Sequence, residues 1–211
     1  MNRMARAAGI MFLISTAAYM IGSGMLNPVM QQPDFLEKLY PGRTTVLAGL
    51  FLELINAISV VGIGVLLYPA LRKYNEVFAL GYFGARIIES AILIISLAGP
   101  LLLIGLSEDY TGAEASYLYA VAGAAADAHF MLFEIAMIVL GLGSLLLCYV
   151  LYRSRLVPRL LSVIGFIGYA GLLTSSCLSV AGYDTGAVLY IPGAIFEILF
   201  PLWLIVKGVK L

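Results

Sequence analysis

Charge is what this chain has least of: 11% of its residues are Asp, Glu, Lys or Arg and 62% are hydrophobic, where a soluble domain carries about 25% charged and about 45–50% apolar residues. That balance excludes a soluble enzyme and a disordered tail. Twelve basic residues face twelve acidic ones, so no excess of positive charge exists to hold phosphate, and nucleic acid is excluded as a partner. Histidine occurs once, as His129, and cysteine twice, as Cys148 and Cys177. One histidine without a Glu-x-x-His pair leaves little for a catalytic metal. With no Gly-x-Ser-x-Gly either, nucleophilic catalysis has no visible apparatus. The cysteines fall in opposite leaflets of two different spans, too far apart for a disulfide.

What the chain has in quantity is long apolar runs. A helix needs about 20 apolar residues to cross a hydrocarbon core of about 30 Å. Six runs meet that length, at about 7–26, 44–67, 79–104, 119–151, 160–181 and 187–206. The alternation of barrel strands is absent, and lipid offers an open backbone no hydrogen bonds, so each run is expected to be a helix. The fold class is all-α, a six-helix transmembrane bundle forming a single domain over 1–211. The basic start and apolar stretch of the first run resemble a signal peptide, yet it reads as a retained first helix.

Charges in the connections sort by side. Arg3, Arg6, Arg72, Lys73, Arg153, Arg155, Arg159, Lys207 and Lys210 share one side with Glu76 alone among acids. The other side holds Lys38 and Arg43, with Asp34, Glu37, Glu108, Asp109, Glu114 and Asp184. By the positive-inside bias, both termini are expected in the cytoplasm. The tyrosines, among them Tyr19, Tyr82 and Tyr190, read mostly as an interface belt near span ends.

Inside the spans remain Arg86, five acids (Glu53, Glu89, Asp127, Glu134 and Glu197) and His129. A charge at a helix centre costs about 2.5–3.5 kcal/mol on insertion scales, so such residues face a bundle interior or cavity and find partners. One guanidinium cannot neutralise five carboxyls, which therefore take protons, water or a cation. Helical phase gathers Gly49, Glu53, Asn56, Val60 and Gly64 on one face, Tyr82, Arg86, Glu89 and Leu93 on another, and Gly193, Glu197 and Pro201 on a third. Asp127 and Glu134, seven apart, also share a stripe. Arg86 and Glu89, three apart, form either a local structural pair or a site in which Arg86 reaches across to Glu53 or Glu197 or grips an anionic head group. His129 points about 160° away from Asp127, so a metal there would need ligands from other spans. The spacing Gly-x-x-x-acid recurs at Gly49/Glu53, Gly123/Asp127 and Gly193/Glu197 and serves as a cue to an internal repeat.

Three stretches carry a resemblance: RAAGIMFL at 6–13, LELINAISVVGIGVLLYPALRKYNEVFALGYFGARIIES at 52–90, and LYRSRLVPRLLSVIGFIG at 151–168. Together they resemble a bacterial domain-of-unknown-function family of small six-helix integral membrane proteins. The resemblance implies six helices in the bacterial cytoplasmic membrane and brings no reaction or catalytic residue with it.

The residues themselves point to a buried midplane acidic site that binds or transports a proton, a cation or a small polar solute. Its expected members are Glu53 and Glu197 as the main carboxyls, Asn56 as orienter, Arg86 with Glu89 as charge-balancing pair, and Asp127 with Glu134 along the access path. One alternative is an intramembrane enzyme using buried carboxyls as general acid and base on a lipid or isoprenoid. Another is a non-catalytic membrane partner subunit. Oligomeric state and cofactors are not legible.

Overall fold

The computed structural model describes residues 2–108, 110, 115–183, 186 and 188–209. Asp109, Glu114, Asp184 and Lys210, counted above among the connection charges, lie outside the described residues. In chain order the helices are α1 (Asn2–Met30), α2 (Phe35–Leu39), α3 (Arg43–Leu71), α4 (Glu76–Ser96), α5 (Ala98–Glu108), α6 (Ala115–Ser154), α7 (Arg159–Val180) and α8 (Ile191–Val206), the last preceded by a short 3-10 turn at Val188–Tyr190. Six stretches are long and apolar enough to span a membrane: α1, α3, α4 with α5, α6, α7, and α8 with its 3-10 turn. Their positions match the six runs of the sequence.

The spans pack as a ring. α1 lies on α3, α3 on α4, α4 on α6, α6 on α7, α7 on α8, and α8 closes back on α1. Both termini emerge at one end, where Asn2 lies against Gly208; the opposite end is called distal below. Small residues let the backbones meet. A Cβ on Gly168 of α7 would lie 2.5 Å from the Gly193 backbone of α8, and one on Gly22 of α1 would lie 2.9 Å from the Gly49 carbonyl of α3. Close approach through small residues is how helices associate where lipid removes the hydrophobic drive. Exposed Ile14, Phe51, Ile58, Ile88, Ile167 and Ile198 give the ring an apolar outer face.

Two features were not visible in the hydropathy. The third span is broken between α4 and α5. Pro100 has no N–H, so the carbonyl of Ser96, four residues earlier, loses its helical donor; His129 Nδ1–H donates to that carbonyl at 2.9 Å instead. The fourth span, long enough to kink, is one continuous helix of 40 residues. At 1.5 Å per residue it measures about 60 Å, roughly twice the hydrocarbon core. Its excess length packs at the distal end on α5, where Leu26, Leu36, Leu39, Leu103 and Ala122 join a second apolar core. There Ser107 Oγ donates to the Leu36 carbonyl and accepts from the Tyr40 N–H at 2.8 Å, fixing α2 on α5.

Candidate functional site

Every span contributes to one cavity of about 340 Å³ inside the ring, within the range of about 300–1,000 Å³ usual for small-ligand sites. Its walls are mostly apolar, with Phe12, Val60, Leu93, Phe133 and Leu172 among them. The polar groups are few and convergent: Ser15, Thr16 and Tyr19 from α1, Asn56 from α3, Arg86 and Glu89 from α4, Tyr169 from α7, Tyr190 from the 3-10 turn, and Glu197 from α8.

The centre of the site is Arg86, 3% exposed. Its Nη1 donates to both oxygens of Glu89, at 3.2 and 3.0 Å, and its Nε donates to the Tyr82 hydroxyl at 3.0 Å. The guanidinium also lies 5.6 Å from the Phe12 ring centroid and 5.2 Å from that of Tyr82. Gly64 of α3 makes room for the arginine stem, since a Cβ there would sit 3.2 Å from the Arg86 Cβ. The Nη2 atom is buried beside the cavity and has no hydrogen-bond partner. Arg86 and Glu89 thus form the local pair, and the longer reach to Glu53 is not made.

Glu197 stands apart from that pair. One oxygen accepts from the Tyr169 hydroxyl at 3.3 Å, and no basic residue bridges it among the described ion pairs. Pro201, one turn on, cannot supply the N–H that would otherwise take the Glu197 carbonyl. On the facing wall Ser15 Oγ donates to Asn56 Oδ1 at 2.6 Å, tying α1 to α3 and fixing the orientation of the amide.

The structure brings Asn56, Arg86, Glu89 and Glu197 to the cavity. Glu53 is buried one turn distal of Asn56, its stem against Gly22 in the α1/α3 seam. Glu134 is half-buried, with one oxygen sealed and unpartnered. Asp127 is exposed and lines no part of the cavity. His129 is occupied in holding the α4/α5 break, and no group of three or more metal-capable side chains occurs among the described residues.

Tyrosine was misread from sequence. Tyr19, Tyr82 and Tyr190 belong to the cavity or to its arginine rather than to an interface belt. Tyr82 carried a signal, since it shares helical phase with Arg86. So did Tyr169, which sits in mid-span.

The cavity has a roof, a floor and a rim. Toward the termini, Phe12 meets Phe200 edge-on at 5.6 Å and Phe200 stacks on Phe196 at 4.9 Å, a thick aromatic floor. On the distal side Tyr19 stacks on Phe133 at 5.2 Å, a single pair reaching across from α1 to α6. Lining residues of α3, α4 and α7 are buried. Those of α1 and α8 include half-exposed Thr16, Tyr19, Tyr190 and Glu197 and exposed Ala194. Phe133 and Met137 of α6 are half-exposed too, so the exposed part of the lining is shared by α1, α6 and α8.

A ring of six apolar helices, lipid-compatible outside and charged within, defines a polytopic α-helical membrane protein. The chain belongs to the family described as Domain of unknown function (DUF4386), whose match covers residues 7–208. No curated protein and no solved structure matches it.

Proposed function

We propose that this protein binds a small solute in the ring cavity and carries it across the membrane. The observation behind this reading is the cavity itself: a buried guanidinium with an unpartnered nitrogen and an unbridged carboxyl share a mostly apolar space of ligand size. A bundle that needed polar residues only for helix association would leave no such space between them. The excess of basic connections at the termini end supports an orientation with both termini in the cytoplasm, and the family resemblance supports a bacterial cytoplasmic membrane.

The position of the rim favours a second reading. An opening between α1 and α8, beside Thr16, Ala194 and Glu197, would face the bilayer and suit an intramembrane enzyme that takes a lipid-like substrate, with Glu89 or Glu197 as acid or base.

Thiol accessibility separates the two. Thr16→Cys is introduced with Cys177→Ser, leaving only buried Cys148 as background. The variant is reconstituted and exposed to a charged, membrane-impermeant methanethiosulfonate from either face. Modification from both faces supports a carrier. Modification from one face alone overturns transport in favour of the enzyme reading, and no modification from either face overturns the site.

A further inference from the structure

The distribution of charge and access around the cavity identifies its ligand more closely. Arg86 already engages Glu89 through Nη1 and Tyr82 through Nε. Among the described residues no second basic side chain lines the space, and the lining they give has one more carboxyl than guanidinium. An anionic ligand would find a single free donor, Arg86 Nη2, on a guanidinium already paired with Glu89, and two carboxyls nearby. A cationic ligand finds Glu197, held by Tyr169 and bridged to no base. Around this carboxyl the remaining walls are aliphatic and aromatic, which accommodates a hydrophobic body and adds ring faces that attract a cation. Glu197 also lies at the rim with Thr16, Tyr190 and Ala194, where a molecule partitioned into the distal leaflet would arrive head first.

We infer that the ligand is an amphipathic amine: a protonated amine on an apolar body, taken in between α1 and α8 and held with its ammonium on Glu197. Arg86 keeps Glu89 occupied, which leaves Glu197 as the counter-ion. This inference rests on the cavity being a ligand site, as proposed above, and adds the charge of the ligand and the residue that meets it.

Three probes of similar shape test it: 2-phenylethylamine, 2-phenylethanol and 3-phenylpropionate, titrated by calorimetry into the full chain in nanodiscs, with empty nanodiscs subtracted. The amine should bind at least about tenfold more tightly than the other two, a preference of the size that one buried charge contact provides. Glu197→Gln should remove that preference, whereas Glu53→Gln, outside the cavity, should keep it. The comparison among probes on the unaltered protein stands even where a variant fails to fold. Equal or tighter binding of the alcohol or the acid overturns the amine assignment and leaves the cavity as a site. Binding of none of the three above the empty discs overturns the cavity reading itself.

Discussion

Arg86 and Glu89 are both almost fully buried and bridged at 3.0 Å, so each residue's stability depends on the other. Removing one partner strands a charge in low dielectric and costs about 3–5 kcal/mol, whereas replacing both with apolar residues of similar size is often close to neutral. Arg86→Met and Glu89→Met should therefore each destabilise the protein more than the double variant does, measured by thermal unfolding in nanodiscs. Additive losses would mean that the pair is not coupled. The exposed pair Asp34 and Lys38, at 2.7 Å, gives a contrasting case at the distal end. The hydrogen bond from Lys38 holds the Asp34 carboxyl below its ordinary value of 3.8. Because the folded value is the lower one, the contact contributes above the ordinary value and is lost as pH falls through the folded value. An NMR titration of Asp34 should show a depressed midpoint that Lys38→Met restores. At this scale helical phase was informative for Asn56, Arg86, Glu89 and Glu197, which line one cavity. It was silent on Ser15 and Thr16, because small hydroxyls in apolar helices read as packing residues and gain meaning only from what faces them.

Among the elements, the third span shows how a local defect is repaired from a distance. The Ser96 carbonyl freed by Pro100 is taken by His129, 33 residues away on α6. Leaving such a carbonyl unsatisfied costs about 1–3 kcal/mol, the loss expected for His129→Leu. In a Pro100→Ala background the helix regains its own donor, so the same substitution should cost markedly less, and a double-mutant cycle of unfolding free energies measures the coupling. Equal losses in both backgrounds would mean that His129 acts elsewhere. Hydropathy could not reveal this break, since an apolar run scores alike whether its helix is continuous or not. The α7/α8 seam is equally local in cause. A Cβ at Gly168 meets backbone atoms of Gly193 and Pro192 rather than a flexible side chain, so Gly168→Val should separate the two helices and destabilise the protein by about 1–3 kcal/mol. Unchanged unfolding would show that the seam is not a tight contact.

For the molecule as a whole, apolar residues cover the outer face as well as the core, and a few charged ones, Glu53, Arg86 and Glu89, are buried among them. The six apolar runs followed from composition and length. Ring closure did not, because which helix lies beside which depends on glycine contacts such as Gly22 with Gly49, and these resemble any other glycine in the sequence. Closure is what turns separate stripes into one cavity and excludes Asp127 from it. The measurement that tests this most directly is spin-label accessibility on α7, where Leu172 is 7% exposed on the cavity wall and Ile167 is 57% exposed on the outer face. Cysteine is placed at each position in a Cys177→Ser background, labelled, and probed in bilayers with a polar nickel chelate and with oxygen. The label at 172 should collide preferentially with the chelate, as in a hydrated interior, and the label at 167 with oxygen, as in lipid. Equal preference for oxygen at both positions would contradict a hydrated ligand site within the ring.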